Sequence, residues 1–272
     1  MTVAGTSFGQ VISVLGPNIG FPGTVSRFGE RVITARVFLP NTSTNNLNFG
    51  DPAILLPGAA NSGGDWTSVA DFVATTANIG KVYSQFAGMA VREVKTQLTY
   101  PSAVVPGASP MVGYYSNGQM AEVLERGNGT VILAVGAPNA GDQVYTRVVL
   151  NGAVTAGVLG DWETSPAATD LFAKAASAGA AAGQAVIGVA STTNVQAGMV
   201  IYGQAGIPDG SYVVSLVTNT SITISNNLTR ALVTGDVFTL SNLVALPGVV
   251  ARTGYLDANN ALEITIKNRL AA

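Results

Sequence analysis

Glycine and proline punctuate this chain so densely that long helices have little room. There are 32 glycines and 12 prolines among 272 residues, and between them run short segments rich in valine, isoleucine, threonine and tyrosine. Glycine weakens helix interiors and supplies the backbone freedom of turns, proline withholds an amide donor, and β-branched side chains suit a pleated surface. The pattern predicts a mainly β fold with many turns and one or two short helices. Strands are expected at 30–39, 53–56, 89–98, 119–125, 129–135 and 142–150, most of them alternating well enough for one buried face. A helix is expected at 65–74, with Asp65 as N-cap and Trp66, Val69, Ala70 and Phe72 or Val73 along one side. A second is expected in the alanine-rich stretch 169–182.

The composition changes after Ala182. From Gln184 to Leu240 run strand-like pieces, AVIGVAS, GMVIYGQ, SYVVSLVT, SITISNN and GDVFTLS, separated by turn residues such as Pro208, Asp209 and Gly210. Beyond them, 249–267 reads as further strands of the first unit, with a turn at 257–260. The expectation is a discontinuous β domain, 1–176 plus 244–272, of β-barrel or β-tulip type, carrying a small inserted β domain at 177–243. A unit joined to its host at two neighbouring points projects from the surface, so the insertion is expected to face outward.

Charge is the informative part of the composition. Ionised side chains make up 10% of the chain, against about 25% in an average soluble domain. The polar surface must then come from serine, threonine, asparagine, glutamine and glycine, which lose water at lower cost than ions when a partner covers them. Such a surface is suited to permanent contact. A net charge of −2 with no basic run removes the counterion-release drive for nucleic acid, so no DNA or RNA partner is expected. The longest charge-free stretch, between Lys174 and Asp209, is broken by polar and turn residues, so no membrane span is expected either. Residues 1–14 lack a basic segment before an apolar one, so no secretory signal is expected, and assembly in a host cytoplasm is the simpler reading.

Histidine and cysteine are both absent, which removes the commonest general base and metal ligand and excludes disulfides and thiolate metal sites. Gly5-Thr6-Ser7-Phe8-Gly9 has nucleophile-elbow spacing but no histidine to complete a triad. Gly80-Lys81 lacks the earlier glycine of a phosphate loop, and 257–260 lacks the glycine and closing glutamate of a calcium loop. Asp161 and Glu163 flank Trp162 as a glycosidase pair would, but catalytic carboxylates come from separate elements, and the two read as turn residues. No enzyme activity, cofactor or metal is expected. A sugar-binding role would use Trp66, Trp162 and nearby tyrosines as stacking platforms.

The stretch Val195, Gly198, Met199, Val200, Tyr202, Gly203, Gly206, Ile207, Pro208 and Gly210 resembles a module repeated in structural proteins of tailed phages. Much of the remaining chain is similar to the phage structural cement, or capsid decoration, proteins. The likeness lies in GFPGTVSRFG (20–29), NLNFGDPAILL (46–56), QFAGMAVREVKTQLTY (85–100), GYYSNGQMAEVLERGNGTVILAV with AGDQVYTRV (113–148) and GYLDANNALEITI (254–266). The resemblance implies a virion protein on the capsid exterior whose partners are the major capsid protein and its own copies, as a homotrimer or dimer. It implies clamping of neighbouring capsomers against internal DNA pressure; the alternative is a tail or spike protein binding host-surface glycans. Within the glycine-rich loop 17–30, Phe21, Pro22 and Phe28 are candidate apolar anchors for that interface and Arg27 a charged one, although the phenylalanines would equally serve the subunit's own core.

Overall fold

The computed structural model describes residues 22–25, 31–40, 46–56, 64–92, 113–257 and 259–267. Among these the chain forms β1 (Val32–Val37), β2 (Leu47–Asn48), β3 (Pro52–Leu56), β4 (Asp65–Ser68), β5 (Phe86–Ala90), β6 (Tyr114–Tyr115), β7 (Met120–Val135), β8 (Gln143–Arg147) and β9 (Trp162–Thr164). There follow β10 (Leu171–Ala175), β11 (Val186–Gly188), β12 (Val200–Tyr202), β13 (Val213–Val217), β14 (Ser221–Ile224), β15 (Val237–Ser241), β16 (Leu243–Ala251) and β17 (Ala261–Ile266). Among the described residues helix is confined to Val69–Val73 and Val82–Gln85, with 3-10 turns at Thr76–Lys81 and Ala168–Asp170.

The mainly β prediction holds, and the architecture is a barrel with additions. Strand β7 pairs with β17, β17 with β16, β16 with β8, β8 with β9, and β9 returns in parallel to β7, closing a ring of five strands. Closure satisfies strand edges that would otherwise stay open. β17 is buried at five of its six positions, so protein covers both of its faces. The other half of β7 leaves the ring and pairs with β1 and β5, which extends through β3 to β4. One strand thus belongs to both layers.

The sequence pattern suggests two strands where β7 is one, because Gly127 and Gly129 interrupt it. The structure shows why they do not end it. β17 pairs straight across them, Ile266 with Gly127 and Ile264 with Gly129, so the ladder continues where side chains are missing. A Cβ at 129 would lie 2.2 Å from Met89 Cε, so the glycine lets β5 approach closely.

Both helix expectations need correction. Residues 65–68 are strand β4, paired with β3 so that Trp66 sits opposite Leu55 and is fully buried, with the Arg36 guanidinium 5.3 Å from its ring centroid. Burial of that indole outweighs local helical preference. The helix starts only at Val69, and its N-cap is Ser68, whose hydroxyl accepts from Asp71 N at 3.2 Å. The 169–182 stretch is not helical: after the 3-10 turn, β10 pairs antiparallel with β15 along all five residues. Of the expected strand at 89–98, 89 and 90 lie in β5, while 93–98 are outside the described residues.

Two three-stranded sheets, β10-β15-β12 and β11-β14-β13, account for the strands between Leu171 and Ser241. Their buried side chains, including Ile187, Ile201, Ile222, Phe238 and Leu240, belong to the same apolar cluster as the barrel residues Val131, Leu133, Val249 and Ile264. No helix among the described residues is long and apolar enough to cross a membrane.

Candidate functional site

A buried polar cluster is centred on Arg147, the last residue of β8. Its side chain is fully buried, as are those of Glu163 on β9 and Asp170 at the end of the 3-10 turn. Arg147 Nε and Nη2 donate to Glu163 Oε1 and Oε2 at 2.5 and 2.9 Å, and Nη1 and Nη2 donate to Asp170 Oδ1 and Oδ2 at 2.9 Å each. Asn242 Nδ2 and Asn151 Nδ2 also donate to Asp170 Oδ1, both at 2.9 Å. The guanidinium fork therefore meets two carboxylates in bidentate fashion, the geometry in which arginine binds them best.

Burial opposes every charge in this cluster, and the hydrogen bonds decide which carboxylate yields. For Asp170, desolvation pushes its proton affinity up, but bonds from Arg147, Asn242 and Asn151 outweigh it and hold the carboxyl below its ordinary value. Glu163 has only Arg147 against the same desolvation, and its carboxyl is raised. Arg147 is held more firmly protonated than usual, because its bonds to Asp170 and Glu163 overcome burial.

The position of the cluster gives it meaning. Asp170 immediately precedes β10, where the chain enters the two small sheets, and Asn242 immediately precedes β16, where it returns to the barrel. Asn242 N donates to Asp170 O at 3.3 Å, and Val148 and Val149 N–H groups both donate to Asn242 O, at 2.9 and 3.2 Å. Gly157 lies against the guanidinium, where a Cβ would come within 2.3 Å of Nε. The cluster is a polar lock at the two-stranded neck.

A second acidic pair lines a cleft nearby. Asp51 and Asp161 border a cavity of about 320 Å³ with Asn48 and Ser68, and a neighbouring one of about 270 Å³ with Pro22, Phe49 and Trp162. Asp51 Oδ2 accepts from Asn48 N and Nδ2, both at 2.9 Å. Burial nonetheless pushes Asp51 up to about 7, against the pull of those bonds and with a smaller push from Asp161. Asp161 rises to about 6, first by burial and then by repulsion from Glu163. Among the described residues, no group of three or more ligating side chains is arranged to hold a metal ion.

Several sequence readings are revised here. Asp161 does sit in a turn, its N–H donating to Val158 O at 3.2 Å, but Glu163 is a buried strand residue committed to Arg147. Trp66 and Trp162 are 0% and 3% exposed, so neither offers a face to a sugar; Trp162 meets Phe86 edge-on and donates to Gly50 O at 2.6 Å. Asp257 spends Oδ1 on the Asn259 and Ala261 N–H groups, at 2.8 and 2.9 Å, and so closes the turn before β17. Of the four interface candidates, Pro22 is half-buried beside the Asp51 cleft, while Phe21, Arg27 and Phe28 lie outside the described residues.

The chain matches the family model of the structural cement protein (E217 gp24/Pam3 gp6) over residues 12–190. It belongs to that family. The family is one of structural phage proteins and not of enzymes, so this cement protein is a structural component of the phage capsid. No curated protein matches the chain. The match ends at 190, so β12 to β17 lie beyond it, yet β16 and β17 are two of the five strands that close the cement protein's barrel.

Sequence reasoning missed the Arg147 lock and the Asp51 cleft. The available signal for the first was an arginine ending a strand of otherwise uncharged residues in a charge-poor chain. Nothing in the spacing of Arg147, Glu163, Asp170 and Asn242 announces that they meet.

Proposed function

We propose that this cement protein binds the outer surface of the phage capsid, bridges neighbouring capsomers of the major capsid protein and stabilises the head against internal DNA pressure. It acts as a homo-oligomer, a trimer in the first instance, and is assembled in the host cytoplasm. The barrel makes the capsid contact, with Phe21, Pro22, Arg27 and Phe28 as anchors, while the small sheets between Asp170 and Asn242 face outward.

The observation that carries this reading is family membership over residues 12–190. The surface is compatible with it. At the end of the β1–β7 pair, where Val37 faces Met120, Met120 is 58% exposed and Leu39 nearby is 39% exposed. A contact of about 800 Å² per partner placed there would cover both side chains. Repeated copies then add avidity without any single contact being tight.

The test is reconstitution. Purified protein is mixed with expanded heads that lack it, and bound copies are counted by sedimentation and cryo-EM while light scattering gives the oligomeric state. Saturable binding in amounts comparable to the major capsid protein supports the clamp. A chain that stays monomeric and leaves the heads bare refutes it.

A further inference from the structure

Where the small sheets meet the barrel, a groove of about 210 Å³ opens to solvent. Three tyrosines from three separate elements line it: Tyr83 from the Val82–Gln85 helix, Tyr145 from β8 and Tyr202 from the end of β12. Asp209 forms part of its rim. Tyr202 is 41% exposed. The rim is also held in place. A Cβ on Gly80 would lie 2.6 Å from Gly210 O, so backbone packs on backbone there, and Tyr212 Oη donates to Ala77 O at 3.4 Å. The arrangement therefore exists before any ligand arrives.

We propose that this groove is a saccharide-binding site that takes one ring of a neutral glycan. The chemistry of the lining selects that class. Phenol rings present apolar faces with polar tips, suited to a molecule that has C–H bonds on one face and hydroxyls at its edge. Asp209 is a carboxylate that accepts hydrogen bonds from hydroxyls. Among the described residues, no lysine or arginine lines the groove, so phosphorylated or carboxylated ligands, nucleic acid included, would meet Asp209 with no compensating cation in the lining. An apolar peptide side chain would fill the floor but make no use of the rim carboxylate, which stays exposed to water. Three tyrosines, and not the two buried tryptophans, are the stacking platform.

The site does not depend on the capsid-clamp reading, but the two would combine. A single shallow groove binds weakly, and many copies displayed on one particle would hold it to a glycan-bearing surface through avidity.

The experiment uses the full chain and saturation-transfer NMR with a fixed panel of maltotriose, cellobiose and N,N′-diacetylchitobiose. The variants are Tyr202→Ala, Asp209→Asn and, as a control away from the groove, Tyr255→Ala, a position where the tyrosine is 47% exposed. Thermal melts establish that each is folded. At least one saccharide is expected to bind the wild type and Tyr255→Ala alike, with binding weakened about tenfold or more in Tyr202→Ala and Asp209→Asn. The proposal is overturned if no panel member binds the wild type, or if both groove variants bind as the wild type does.

Discussion

Replacing Asp51 by asparagine should make the protein more stable at pH 8 than the wild type, and the advantage should shrink in acid. The folded-state value of about 7 lies above the ordinary 3.8, so between these limits the folded protein holds a proton that the unfolded chain has released. Stability from this group is complete below the unfolded value and is lost as pH rises through the folded one. The full gap corresponds to on the order of 4 kcal/mol, with about 1.4 kcal/mol per pH unit. The part falling between pH 5 and pH 8 is about 2–3 kcal/mol. An asparagine at this position mimics the protonated acid: its amide oxygen still accepts both Asn48 hydrogen bonds, and its lack of charge relieves repulsion with Asp161. Urea denaturation of the two proteins at pH 5 and pH 8 measures the difference directly. The advantage of Asp51→Asn should grow by about 2–3 kcal/mol between those pH values, or roughly 4–12 °C in midpoint for a domain of this size. If the variant is instead less stable at pH 8 than at pH 5 relative to wild type, the ionised carboxylate is favourable in the folded state and the argument from burial is wrong.

Three further outcomes follow from the same structure. Arg147→Met leaves Glu163 and Asp170 buried without their cation and should cost about 3–5 kcal/mol in denaturant unfolding, whereas the triple change Arg147→Met, Glu163→Gln and Asp170→Asn should cost less; a triple variant worse than the single one would argue against a desolvation-dominated lock. Gly136→Ala forces a side chain onto a backbone at φ +119°, with its Cβ 1.9 Å from Thr164 O, so a loss of more than about 2 kcal/mol is expected where β7 hands over to β9, and a near-neutral result would contradict that close crossing. Met120→Glu places a charge on an exposed position and should leave stability unchanged within about 0.5 kcal/mol while abolishing retention on heads; undiminished retention would move the capsid contact elsewhere.

The sequence made the strand-and-turn character legible because β-branched runs bounded by glycine need no tertiary information to be recognised. It also located the small strands between 184 and 240 closely, since each is short and flanked by its own turn residues. Where local and distant signals compete, it failed. The 65–74 stretch has a helical apolar stripe, but its first four residues are claimed by β3, and no local pattern says that Leu55 waits opposite Trp66. The 169–182 stretch has alanine and no visible partner; its partner is β15, which is distant in the chain. Glu163 looked like a turn carboxylate because its neighbours are turn residues, and only the fold reveals Arg147 beside it. Asp51 carries no sequence signal at all, since its unusual protonation comes from burial and not from neighbours in the chain.

The location of the Arg147 lock suggests why a chain so poor in charge buries three ionisable groups together. Replacing a buried ion cluster by apolar residues is often neutral or stabilising, so stability alone is a weak reason to keep one. Geometry is a better reason. The two small sheets share an apolar cluster with the barrel, and apolar contacts tolerate sliding because they have no preferred direction. A guanidinium held by two carboxylates in bidentate fashion tolerates almost none. By fixing Asp170 and Asn242, the residues on either side of the neck, to β8 and β9 of the barrel, the lock sets one orientation for the small sheets. The triple uncharged variant should therefore retain most of its stability yet show broadened amide resonances at the β10 and β16 junctions, a change that denaturant unfolding does not report. Sharp, wild-type-like junction resonances in that variant would mean that the apolar packing already fixes the angle and the ions do not.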